Sequence, residues 1–196
     1  MPKIVDHEER RRELAEAVWR VILRDGVEGV SVRNVAAEAG WSTGALRHYV
    51  GTKEELLASA TQLLEERVRS RFEIGRYDGT PREVVRGLLC EVLPLDEERR
   101  TEGSLWFAFA ARSMVDPRIA QEYEVVFDGV RELCRRAIHR VAEGGWLVSG
   151  LDNSIEAASL HALVDGLAVH GLMGRLDEEQ MLSVLDAHLS RIIRDP

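Results

Sequence analysis

Between Val32 and Leu57 the chain reads VRNVAAEAGWSTGALRHYVGTKEELL, a stretch that gathers Arg33, Arg47, His48, Tyr49 and Lys53 around a glycine. Guanidinium and ammonium groups collected in this way bind phosphate, and an arginine can also pair bidentately with guanine. Over residues 31–53 the cations Arg33, Arg47 and Lys53 face one acid, Glu38. The surroundings are acidic: the 196-residue chain carries a formal net charge of −8. Charge nearly balances over residues 1–55, so the acidic excess lies in the remainder. The total speaks against a nucleic-acid partner. The distribution leaves one place open to it.

Other residues able to do chemistry are scattered. His161 and Asp165 stand four apart, with His170 and His188 further on. His161 and His170 fall about 180° apart around a helix, so one straight helix cannot chelate with both. The sequence has no HExxH, no Glu-x-x-His pair of the di-iron type, no glycine-rich phosphate loop and no nucleophile elbow. Cys90 and Cys134 belong to no CxxC or Cys/His cluster and are expected as buried free thiols. No catalytic residue, metal or cofactor is expected. An enzyme is not the reading.

The elements that must hold the basic stretch are helices. Leu14, Ala17, Val18, Val21 and Ile22 repeat at i, i+3, i+4, i+7, i+8, the signature of one apolar helix face. Ser31 can cap a short helix that Gly40 ends, and Ser42 can cap another over roughly Thr43 to Val50. Thr52-Lys-Glu-Glu55 is a capping box opening a long helix with Leu56, Leu57, Ala60, Leu63, Leu64 and Val68 inward. Thr80-Pro81-Arg82-Glu83 opens a further helix, with proline at its first position. PLDEERR reads as an interruption before the aromatic helix SLWFAFAARSMV. A long helix follows, then two more, the last opened by DEEQ. No segment alternates as a strand would, so the chain is expected to be all-α with about nine helices.

Hydrophobic residues make up 45% of the chain, enough to bury a core. No apolar run approaches a bilayer span, and the N-terminus lacks a secretory signal pattern. A cytoplasmic protein with no membrane partner is expected.

Two short helices joined at a glycine make a helix-turn-helix, whose second helix can enter the major groove. Thr43 and Gly44 start that helix, where side chains reach base edges, while Arg47 and His48 face outward and Lys53 can hold a phosphate. Arg10, Arg11 and Arg12 are interleaved with Glu8, Glu9 and Glu13 and read as a solvated helix face.

The stretch SVRNVAAEAGWSTGALRHYVGTKEELL resembles the DNA-binding signature of the tetracycline-repressor (TetR) family of bacterial regulators, and G-A-L-R-H-Y is closer to its betaine-responsive branch. The resemblance implies a DNA-binding domain over 1–52 and a helical ligand-binding and dimerisation domain over 53–196. It places Val32 and Arg33 against phosphate, Thr43, Gly44 and Ala45 at base edges, His48 and Tyr49 at the end of the recognition helix, and Lys53 on phosphate. Arg47 stands where the family commonly has tyrosine.

The family also implies a ligand pocket and a homodimer formed through the last two helices. Trp106, Phe107, Phe109, Met114, Tyr123 and Phe127 are the apolar pocket candidates, with Arg112, His161 and Asp165 as polar fixings. For the interface, Leu160, Leu163, Leu167, Gly171, Met181, Leu185, Leu189 and Ile192 are the candidates; an intramolecular core is the other reading of the same pattern. The expected function is a ligand-responsive repressor released from a palindromic operator by a small molecule. The alternative is a helical binding or scaffold protein that keeps the domain without specific operator recognition.

Overall fold

The computed structural model of the protein describes residues 7–74, 77–115 and 117–194; the side chains of 73–74 and 117–127 lie outside that description. Among the described residues there are nine α-helices: α1 (His7–Asp25), α2 (Val32–Ala39), α3 (Thr43–Arg47), α4 (Lys53–Ile74), α5 (Pro81–Cys90), α6 (Glu97–Ser113), α7 (Pro117–Glu143), α8 (Asn153–Leu172) and α9 (Glu178–Ile192). A 3₁₀ turn at Val27–Gly29 links α1 to α2. The fold is all-α: the described residues hold no strand, and an isolated antiparallel bridge joins Leu147 to Ile193.

Local chemistry sets most boundaries. The Ser31 hydroxyl accepts from the Asn34 amide at 3.1 Å and opens α2. Gly40 closes it at φ 70°, in the left-handed region that costs glycine nothing. A Cβ there would meet no atom within 4 Å, so the requirement is conformational and not one of space. The capping boxes at Thr80/Glu83 and Asp177/Gln180 are formed, and Thr52 exchanges its cap bonds with Glu55.

Two boundaries differ from the sequence expectation. Helix α3 ends at Arg47, where the His48 amide bonds back to Ala45 and that of Tyr49 to Leu46, tightening the chain into a turn. Helix α6 begins within DEERR, because the Asp96 carboxylate accepts from the Arg99 amide at 2.8 Å and caps it.

The chain divides into two compact units. One comprises residues up to Arg69 together with Leu105–Ala120; the other comprises Ser70–Ser104 and the residues from Gln121. Helices α4 and α6 are continuous and contribute residues to both. In the first unit α1 buries Leu14, Ala17, Val18, Val21 and Ile22, and α4 buries Leu56, Leu57, Ala60, Leu63 and Leu64. The Trp19 indole donates to the Ala60 carbonyl at 2.9 Å, fixing α1 on α4. In the second unit α8 turns Leu160, Val164 and Leu167 inward and α9 turns in Met181, Leu185 and Leu189. There too Arg71 of α4 meets the buried Glu102 of α6 through paired charge-assisted hydrogen bonds.

Candidate nucleic-acid interface

Helix α3 is five residues long and carries one anchor. Leu46 is fully buried, and that single contact fixes the rotation of the helix. Thr43, Gly44, Ala45, Arg47 and His48 are all exposed as a result. The Ser42 hydroxyl takes the Ala45 amide at 3.1 Å, so the cap is internal and the side chains of the first turn stay open. Val35 and Ala36 of α2 are buried, and α2 packs against both α1 and α3. Arg33 is exposed and Val32 half-buried at the start of α2.

The electrostatics of this surface depend on Glu38. Its carboxylate accepts from Arg24 at 2.6 Å and Arg20 at 2.8 Å, both on α1. Those hydrogen bonds, Arg24 first, hold its pKa below the usual carboxylate range. The one acid among residues 31–53 is thus compensated by α1, and Arg33, Arg47 and Lys53 set the sign of the surface.

Tyr49 is 37% exposed and tilts against Trp41 at 5.3 Å and His7 at 5.9 Å between ring centroids. Arg10 lies over the Trp41 ring at 5.3 Å and pairs with Glu13 at 3.0 Å, which keeps it on the α1 face. Lys53 is half-buried, and its ammonium donates to the Glu28 backbone carbonyl at 3.2 Å. A charged groove of about 430 Å³ runs beside this cluster, lined by Arg10, Glu13, Glu16, Arg20, Ala39, Gly40 and Trp41.

The pocket candidates are placed differently from one another. In the first unit Trp106 and Phe107 are half-buried and meet edge to face at 4.6 Å. Phe109 is 1% exposed and belongs to the core. Met114 is 80% exposed at the end of α6. Arg112 pairs with Glu28 of the 3₁₀ turn at 3.1 Å. The side chains of Tyr123 and Phe127 lie outside those described. In the second unit His161 and Asp165 approach to 3.3 Å on α8. Burial pushes the Asp165 carboxyl up, opposed by His161. Burial also pushes the Cys134 thiol to about 12, and the charge of Asp165 adds to this.

The interface candidates require a correction. Leu160, Leu167, Gly171, Met181, Leu185, Leu189 and Ile192 are buried inside the protomer, and Leu163 is half-buried. A side chain already covered by its own chain has no surface left for a partner. The outward stripe of α8 is out of phase with them: Ile155, Ala158, Ala162, Gly166, Val169 and Met173 repeat at spacings of three and four. Ile155 is 65% exposed, Met173 64%, and Val184 of α9 41%.

A buried leucine under a short, capped, outward-facing helix, after a glycine turn, defines a helix-turn-helix regulator. Residues 14–60 match the family of bacterial regulatory proteins known as tetR, and residues 81–194 match the BetI-type transcriptional repressor C-terminal domain. The chain belongs to the TetR family of transcriptional regulators, which are not enzymes. It is 42% identical over 200 aligned positions to the HTH-type transcriptional regulator PksA of Bacillus subtilis, covering 98% of this chain and 94% of that one. It is 32% identical over 193 positions to the HTH-type transcriptional regulator BetI of Brucella anthropi, covering 89% and 99%. A crystal structure of a transcriptional regulator from Rhodococcus sp. Rha1 aligns with a TM-score of 0.77 at 30% identity, over 93% of this chain and 95% of that one.

Proposed function

We propose that the protein is an effector-responsive repressor that binds a pseudo-palindromic operator as a homodimer. Each protomer lays α3 in a major groove, with Thr43, Gly44 and Ala45 at base edges and Arg47 at guanine or phosphate. Val32, Arg33, His48, Tyr49 and Lys53 hold the flanking backbone. The observation that carries this reading is the rotation of α3 set by Leu46, which leaves the other four residues of the helix and the following His48 uncovered, with Glu38 compensated. The boundary at 52/53 is where the DNA-reading segment gives way to α4.

Two protomers are joined in this proposal through the outward stripe of α8 and Val184 of α9, an apolar surface of small and flexible side chains that suits close two-fold helix packing. The small-molecule effector meets the second unit beside His161 and Asp165, a half-buried polar pair on α8. Effector binding releases the operator by changing the separation of the two heads.

Footprinting on the DNA flanking its own gene tests the reading. Two protected half-sites, spaced by about one helical turn or a multiple of it, are expected. Uniform protection without half-sites would support the scaffold reading instead.

A further inference from the structure

Trp41 has no role in the proposal above, yet it stands between the turn glycine and the cap of α3. Its backbone is held first. The Trp41 amide donates to the Ala36 carbonyl at 2.9 Å and the Gly40 amide to that of Ala37 at 3.3 Å, the paired bonds that close a helix on a left-handed glycine. The next residue, Ser42, caps α3 through the Ala45 amide. The root of the indole is therefore fixed against the end of α2 and the start of α3.

The indole itself reaches past α3. Its ring lies 5.3 Å from that of Tyr49, tilted by 59°, and Tyr49 follows the last helical residue, Arg47, by two positions. From α1, Arg10 covers the indole at 5.3 Å, and His7 stands 5.9 Å from the Tyr49 ring. The same indole walls the groove that runs along Glu13, Glu16 and Arg20 of α1. Helix α3 needs a clasp of this kind. Five residues are too few for a helix to persist alone, and Leu46 is its one buried side chain. Leu46 sets the rotation of α3 but does not fix the course of the chain beyond it. The Trp41–Tyr49 contact joins the chain entering α3 to the chain leaving it, and Tyr49 stays exposed beside it.

We infer that Trp41 is a positioning residue for DNA recognition: its indole is the seat that holds Tyr49, and with it the end of α3, in the orientation that meets the phosphate backbone. This rests on the DNA-binding reading above, in which Tyr49 holds flanking backbone and Trp41 touches no DNA. The contribution of aromatic pairs in tilted geometry converts to about two- to twelve-fold in an equilibrium constant.

The test compares four variants of the full chain. Trp41→Leu keeps apolar volume without a ring, Trp41→Phe restores a ring, and Tyr49→Leu and the double leucine variant complete the cycle. The probe is the DNA flanking its own gene, with a random duplex alongside. Operator binding is expected to weaken by about two- to twelve-fold in Trp41→Leu and to recover in Trp41→Phe. The double variant should be no weaker than Tyr49→Leu alone. Without DNA, the Tyr49 ring resonances should shift in Trp41→Leu; they are assigned by their loss in Tyr49→Leu from a chain with three tyrosines. Amide exchange at Tyr49 and Val50 should quicken in the same variant, while the core around Trp19 and Ala60 stays protected. Additive losses in the double variant, or weaker binding with the Tyr49 resonances unmoved, would overturn the inference in favour of a direct contact of Trp41 with DNA. Unchanged affinity in Trp41→Leu would also overturn it. So would loss of protection across the whole unit, which would make Trp41 a core residue. A wild-type chain with no preference for its own DNA would instead remove the DNA-binding reading, and this inference with it.

Discussion

Gly171 of α8 lies directly against Met181 of α9: a Cβ on the glycine would stand 2.4 Å from the methionine sulfur and 3.0 Å from Pro94 Cγ. Met181 is fully buried, so its flexible end has nowhere to retreat. Gly171→Ala is expected to destabilise the protein by about 1–3 kcal/mol through overpacking. Gly129, on α7 with nothing within 4 Å of a built Cβ, provides the contrast. Alanine there is expected to stabilise by about 0.5–1 kcal/mol, through helix propensity. Thermal melts of the two variants give shifts of opposite sign, and a matching sign would contradict the packing described.

The Met173 side chain lies at the far end of the outward α8 stripe and is 64% exposed. Met173→Asp is expected to leave the protomer folded and to shift sedimentation towards the monomer. A folded dimer unaffected by both this change and Val184→Asp would place the two-fold interface elsewhere. Substitution of Leu160, by contrast, should unfold the second unit before it affects assembly, at a cost of about 2–5 kcal/mol for Leu160→Ala.

Cys134 has an ordinary thiol value of 9.0 and is held at about 12 by burial. Between those values the unfolded chain has lost the proton while the native protein keeps it. The thiol then subtracts stability as pH rises through that window, and it contributes no pH dependence below it. Urea midpoints at pH 8 and pH 10.5 should fall more for the wild type than for Cys134→Ala. Equal falls would mean that the thiol is not enclosed.

Arg47 and Lys53 are expected to act on DNA through charge. Alanine at either should weaken operator binding and lower the salt slope by about one. The dimer should be unaffected in both, as sedimentation would report. Dissociation into monomers would mean that the DNA surface and the interface have been confused.

The helix ends set by contacts three residues apart were legible in the sequence: Ser31, Gly40, Ser42, Thr52, Thr80 and Asp177 act on backbone groups within one turn. Asp96 is the same kind of cap, concealed among neighbouring charges that need no helix to be soluble. The orientation of α3 was legible because one apolar residue, Leu46, stands among polar or small ones. Helix α8 offered no such asymmetry. Leucine, valine, alanine and glycine line its inner face, while isoleucine, alanine, glycine, valine and methionine line the outer one, so apolar content alone could not separate core from surface. The fate of Glu38 and of Arg112 depended on partners distant in sequence, Arg24 with Arg20 and Glu28, which no local pattern specifies.

The most direct test of the central claim is a mobility-shift titration on the DNA flanking the protein's own gene, with excess random DNA as competitor. A discrete complex that survives the competitor, and that is lost in steps as salt is raised, is the result the account predicts. Equal affinity for the two DNAs, or a complex indifferent to salt, would contradict it.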